Sequence, residues 1–349
     1  MLPPTVEVDP RGDIKLRVAQ ADGGDDGDAD SHADTDTDTD TDAGADPVTF
    51  LACSRALARA SPVFARMLYG EFAESRHREG GEWMVDLPND KAQPMRIFLD
   101  IAHGRFRDVP RVLSVDQLHE LTVLTNYYDA TAALIPWVDG WMSGIEEIVK
   151  DANAPMPKVL WITWELGRKD AFTTMSRRML MESEGPGFME SGQVEDIQTP
   201  PDIIERIDAI RIQIFQSLLN IFQEMVDNLI VVDERVRWCR HHTWMGPHRC
   251  ESMILGSMTF CLARAGLWPL PEARGVEYSV LGLHGKLTTL VIHDIGRASA
   301  GDKGVVDHGE CNPRAYLLDL VQRVVRETPS PLTEFHVKYL DQQAKKLLH

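Results

Sequence analysis

Cysteine is scarce in this chain. Its 349 residues hold five, at positions 53, 239, 250, 261 and 311. An odd, thinly spread set fits a reducing compartment better than a disulfide scaffold, so an intracellular protein, cytoplasmic or nuclear, is expected. Long apolar runs are missing too. The longest stretch, 253–263, falls short of the roughly 18 residues a bilayer span needs, and it runs into Arg264. The opening MLPPTVEVDPRGD has no basic head before an apolar core, so no secretory signal is expected. Basic residues are outnumbered: 36 Lys and Arg stand against 54 Asp and Glu, a formal net charge of −18. Eleven aspartates and no Lys or Arg fall within 21–46. Without them the balance is about −7, ordinary for a soluble chain. A broad cationic face is therefore disfavoured, and with it nucleic acid or an anionic membrane as a partner.

Catalytic signatures are equally thin. Gly23-Gly24 and Gly80-Gly81 lack the Lys or the strand–helix setting of a phosphate loop, and no His-Glu-x-x-His occurs. Cys250 with His293 is a formal nucleophile pair, but no strained elbow, oxyanion loop or third orienting group accompanies it. The expectation is a protein without enzymatic activity.

What is present is a core-forming chain, 43% hydrophobic. Val6 and Val8, a turn at Asp9-Pro10-Arg11-Gly12-Asp13, then Ile14, Leu16 and Val18 predict a strand–turn–strand hairpin. Residues 21–46 follow, with a Thr-Asp repeat and no apolar side chain larger than Ala. Nothing there offsets the entropy of ordering, so a disordered, solvated acidic insert is expected. A calcium site would need its carboxylates framed by turns and backbone carbonyls, which this run lacks. Strand-like sequence resumes at Val48, and Ser61-Pro62 predicts a helix start. Trp83, Val85 and Leu87 alternate as a strand closed by Pro88-Asn89-Asp90. A helix ending at Gly104 follows, with His103 set to meet its last carbonyls. Ser114-Val115-Asp116-Gln117 is a capping box. The fold class is α+β, a small sheet flanked by helices.

The run FLACSRALARASPVFARMLYGEFAES, 50–74, carries a strand leading into Ser54-x-x-Leu57, then Ser61-Pro62-Val63-Phe64-x-x-Met67-Leu68, then Phe72-x-Glu74. Leu87-Pro88-Asn89-Asp90, Phe98-Leu99, Ala102-His103-Gly104 and Tyr127-Tyr128-Asp129 follow in order. Together they resemble the BTB/POZ domains of fungal proteins, over about 120 residues. Asn126 and Tyr127 stand where that family more usually has a basic residue. The resemblance implies a BTB/POZ-like domain over 5–145, interrupted at 21–46. It also implies other proteins as partners, through self-association as a homodimer or through adaptor work. In members that recruit cullin-type ubiquitin ligases, an apolar-x-Glu stretch in this loop touches the cullin, which implies partner-binding roles for Phe72 and Glu74. The alternative is that Phe72 folds back on its own core and Glu74 is merely solvated.

A linker is expected at Pro155–Pro157, opening a mostly helical C-terminal region over 155–349. Leu160 to Met181 predicts a helix or helix pair broken at Gly167. Ile203, Ile207, Ile210, Ile214, Leu218, Ile221, Met225 and Leu229 predict a helix of about 28 residues. Phe215, Leu219 and Phe222 widen its stripe beyond a coiled-coil seam, which favours burial over an oligomer seam. Cys239, His241, His242, His248 and Cys250 crowd within twelve residues, and His308-Gly309-Glu310-Cys311 adds His-x2-Cys. Two such arms suit a structural zinc on Cys239, Cys250, His308 and Cys311. The Cys-x10-Cys spacing is not that of a common zinc knuckle, and the competing reading is unconnected thiols and surface imidazoles. The stretch Cys250-Glu251-Ser252-Met253-Ile254-Leu255-Gly256-Ser257 is itself similar to one in fungal proteins of this layout, where His-x-x-Cys follows later. A metal-dependent or otherwise catalytic C-terminal domain is the alternative function. Cys261, on an apolar helix, is expected to be a buried hydrophobe.

Overall fold

The computed structural model describes residues 5–19, 47–72, 74, 82–151, 153–185, 187–188, 197–230, 238–239, 248–294 and 308–348. The acidic insert 21–46, His241 and His242 lie outside them. The fold is α+β and mostly helical, with a small mixed sheet. No described helix is long and apolar enough to cross a membrane. The chain forms two compact units: Met1–Phe172 with Phe335–His349, and Thr173–Glu334.

The first unit is built on strands β1 (Thr5–Glu7), β2 (Ile14–Ala19), β3 (Val48–Ala52) and β4 (Met84–Lys91), in the order β1-β3-β2-β4. β2 pairs antiparallel with β3 and parallel with β4, while β1 pairs parallel with β3. The expected β1–β2 hairpin does not form. The turn instead crosses the end of β3: the Val8 and Asp9 amides donate to Leu51 O, and the Asp13 amide donates to Ala52 O. The crossing is so close that a Cβ on Gly12 would sit 2.6 Å from Ala52 O. Alternation could reveal two strands and a turn but not the third strand between them. β4 also runs beyond its expected close, to Lys91.

Among the described residues, eight α-helices complete this part of the chain: α1 (Ser54–Ala60), α2 (Pro62–Tyr69), α3 (Ala92–Ala102), α4 (Val115–Tyr127), α5 (Ile135–Ile148), α6 (Met156–Glu165), α7 (Lys169–Glu182) and, from the far end, α12 (Glu334–Lys346). Asp13, on the turn, starts α1 from outside: its carboxylate accepts from Ser54 N at 2.7 Å and Ser54 Oγ at 2.6 Å. Ser61 caps α2, accepting from Phe64 N at 3.0 Å, and Pro62 occupies the first turn, where it forfeits no hydrogen bond. Phe64 then stacks on Tyr128, centroids 4.3 Å apart, and on Phe98 at 6.0 Å. His103 meets the expected carbonyl, that of Leu99, through Nδ1 at 2.8 Å. Its Nε2 accepts from Cys53 N at 2.8 Å, tying the end of α3 to the start of α1. The Ser114–Gln117 capping box is formed in both directions.

The expected division near 155 is corrected by the packing. α6 is almost wholly buried, and Asn126 on α4 donates to Glu165 at 2.8 Å. α12 returns to the same place: Tyr339 stacks on Trp164 with centroids 4.0 Å apart. Gly167, at φ +62, lets the backbone of Ala344 come so near that a Cβ would meet its nitrogen at 2.3 Å. The proline pair at 155–157 therefore starts a helix inside the unit, and the chain crosses to the second unit within α7.

The second unit is organised by α8 (Ile203–Ile230), whose 28 residues match the expected length. Its buried face includes Ile207, Phe215, Leu219 and Phe222, wider than a two-position seam. Around it lie α9 (Arg249–Arg264), α10 (Val280–Thr288) and α11 (Arg314–Arg326). Cys261 on α9 is only partly buried, contrary to expectation, and its thiol donates to Val291 O at 3.0 Å.

Candidate metal centre

Three separate pieces of the second unit deliver the four residues of the centre. Cys239 stands in a short described segment with Trp238. Cys250 lies in the first turn of α9. The residue before that helix, His248, adopts a left-handed φ of +67, so the chain turns sharply to place Cys250. His308 and Cys311 sit on one tight turn, Gly309–Cys311, closed by Cys311 N donating to His308 O at 3.0 Å.

Side-chain geometry converges on one point. All four donor atoms lie within 4.8 Å of one another, and all four residues are buried. Cys239 Sγ and Cys311 Sγ are 3.8 Å apart. His308 Nδ1 is 3.5 Å from Cys239 Sγ, 3.1 Å from Cys250 Sγ and 3.9 Å from Cys311 Sγ. A tetrahedral ion with metal–sulfur bonds of about 2.3 Å and a metal–nitrogen bond of about 2.0 Å separates sulfurs by about 3.8 Å and sulfur from nitrogen by about 3.5 Å. Of these four edges, Cys250–His308 is about 0.4 Å shorter than that ideal and Cys311–His308 about 0.4 Å longer. None of the three cysteines is in a disulfide, so no S–S bond accounts for their closeness. Burial, and after it the Cys239 and Cys311 thiols, pushes the Cys250 thiol far above its ordinary value. A thiolate on Cys250 is thereby disfavoured, and a bound cation reverses that balance. This donor set is a buried Cys3His cluster able to hold a metal.

The sequence alone did not single out the groups that orient the shell. Glu251 Oε1 accepts from Trp238 N at 3.1 Å and Cys239 N at 3.0 Å. Trp238 Nε1 donates to Cys311 O at 2.5 Å, joining the first arm to the last. Their only signal was adjacency, Trp238 beside Cys239 and Glu251 beside Cys250.

The other predicted site residues lie in the first unit, after α2. Phe72 is 56% exposed and Tyr69 54% exposed, so Phe72 is not folded into the core. Glu74 is exposed, while its backbone is pinned by Trp83 Nε1 donating to Glu74 O at 2.7 Å. Ala73 lies outside the described residues. His293, the formal partner of Cys250, is exposed, and its amide donates to Ser257 Oγ. No protein-family model matches the chain, and no curated protein matches it either.

Proposed function

We propose that this chain is a non-catalytic protein-interaction module of the BTB/POZ kind, with its second unit fastened by a structural zinc ion. The zinc reading rests on one observation: the Cys3His shell is complete and buried. Catalytic zinc keeps a coordination position for water or substrate, whereas four protein ligands fill a tetrahedral site and leave the ion to hold the chain. Cys239, Cys250 and Cys311 would bind as thiolates and His308 through Nδ1, with Glu251 and Trp238 fixing the arms. The metal-dependent catalytic alternative gains nothing from such a closed shell.

The interaction reading is supported by Phe72. An aromatic side chain more than half exposed, two residues from an exposed glutamate, has the form of an anchor with a neighbouring charge that sets register. The sequence resemblance makes a cullin scaffold the first partner to try. Binding of the full chain to a cullin N-terminal domain is expected to weaken at least about tenfold in Phe72→Ala, the scale of an interface anchor. Equal binding by both proteins, or none by wild type, removes the cullin assignment.

A further inference from the structure

The link from α3 to α4, residues 103–114, is fixed in one shape by its own side chains. The Arg105 guanidinium donates to Glu7 O at 2.9 Å and Val8 O at 3.2 Å, and it pairs with Asp108 at 2.7 Å and with buried Asp100 at 3.4 Å. Val109 and Leu113 turn inward and are buried. Phe106 lies against Trp137 on α5, centroids 5.6 Å apart, and one helical turn later Trp141 Nε1 donates to Pro110 O at 3.0 Å. The link thus runs along the first turns of α5.

Four side chains face outward from this frame. Phe106 is 63% exposed and Val112 81%. Arg107 and Arg111 are exposed as well, and neither is paired with a carboxylate among the described residues. The acids beside them are taken, Asp108 by Arg105 and Asp139, two residues past Trp137 on α5, by Arg168. Aromatic side chains and arginines are the residue types that anchor protein interfaces. Held on a rigid frame, they lose little freedom when a partner covers them.

The two guanidiniums decide what can cover the apolar pair. A basic segment is repelled by both. A neutral one strips water from two cations and offers no charge in its place, which carries a large desolvation cost. An acidic one replaces that water with charge-assisted hydrogen bonds. The chain's net charge of −18 opposes an acidic partner at long range. A screening length of about 10 Å at 0.1 M salt leaves the local pair in control at contact. We infer that the 103–114 link docks an acidic segment of a partner protein, whose apolar side chain covers Phe106 and Val112 while flanking carboxylates pair with Arg107 and Arg111. This assignment needs neither Phe72 nor the metal, so its failure leaves both of those readings untouched.

Fluorescence anisotropy with the full-length chain at that salt concentration tests it. The probes are labelled short peptides, each with one Leu, Phe or Trp set among Asp and Glu. At least one is expected to bind saturably, and at least about tenfold tighter than its Asn and Gln counterpart. The double variant Arg107→Ala, Arg111→Ala and, separately, Phe106→Ala are each expected to weaken it at least about tenfold. Val112→Ser reads the apolar half again should Phe106→Ala disturb the Trp137 contact. Arg59→Ala, at an exposed arginine of α1, is expected to change nothing. Absence of saturable binding overturns the proposal. So does equal binding of the uncharged peptides, or an equal loss in Arg59→Ala, which reduces the effect to general charge attraction. Tighter binding of a single-stranded oligonucleotide gives the surface to nucleic acid, and self-association that Phe106→Ala abolishes gives it to a second copy; either result overturns it as well.

Discussion

Glu165 is 1% exposed and receives hydrogen bonds from every side. Asn126 donates at 2.8 Å, the Tyr339 hydroxyl and Gln343 at 3.1 Å, and Thr131 through its hydroxyl. Burial raises its carboxyl above the ordinary value; the hydrogen bonds from Thr131, Asn126 and Tyr339 and the charge of Lys346 pull the other way without winning. The folded chain therefore holds this proton more tightly than the unfolded one. The resulting stability is fully present below the unfolded pKa and is lost as pH rises through the raised folded value. Urea midpoints of wild type and Glu165→Gln between pH 5 and 8 are expected to show it. Wild type minus variant should fall as pH rises, and a flat difference contradicts the assignment. Nothing in the sequence marks Glu165, because all four of its donors come from 34 or more residues away along the chain. Cys239, Cys250, His308 and Cys311 were legible for the opposite reason. Thiols and imidazoles are rare, and two short-spaced arms of them point at one another even when the intervening fold is unknown.

Elements with local signals could be read directly. Ser61-Pro62 announces α2 because an N-cap side chain and a proline in the first turn act within a few residues. The same Ser61 also carries a contact that no local pattern reveals: its hydroxyl donates to Tyr128 O at 2.5 Å, 67 residues on. Ser61→Ala removes both bonds. An N-cap deletion costs about 1 kcal/mol, and a buried carbonyl left unpaired adds about 1–3 kcal/mol. Chemical denaturation is expected to show a loss of about 2 kcal/mol or more in the transition that melts the first unit; a loss under about 0.5 kcal/mol would mean neither bond matters. β1 and β2 show where local reading stops. Their alternation was correct and their pairing was not, since register and partner are set by β3, beyond the acidic insert. The long stripe of α8 was legible in both length and burial, because its periodicity runs over many turns.

At the scale of the whole molecule, the proline pair at 155–157 suggested a boundary that the packing ignores. A linker and a helix start share the same residues, and only α12 folding back onto Trp164 shows which one applies. In the second unit, by contrast, a metal held by the Cys3His cluster would tie together residues 239 and 311, which lie 72 positions apart in the chain. Binding of structural zinc in small zinc-finger peptides is worth roughly 10–16 kcal/mol, on the scale of a whole domain's stability of about 5–15 kcal/mol. Loss of the ion should thus loosen the second unit as a whole. The metal content of the purified full-length chain, measured beside its near-UV circular dichroism for wild type and Cys311→Ser, tests this most directly. One zinc per chain is predicted for wild type, with the metal and the near-UV signal both lost in the variant and on chelation. A wild-type chain that keeps its full near-UV signal without stoichiometric zinc would contradict the structural role assigned to the Cys3His shell.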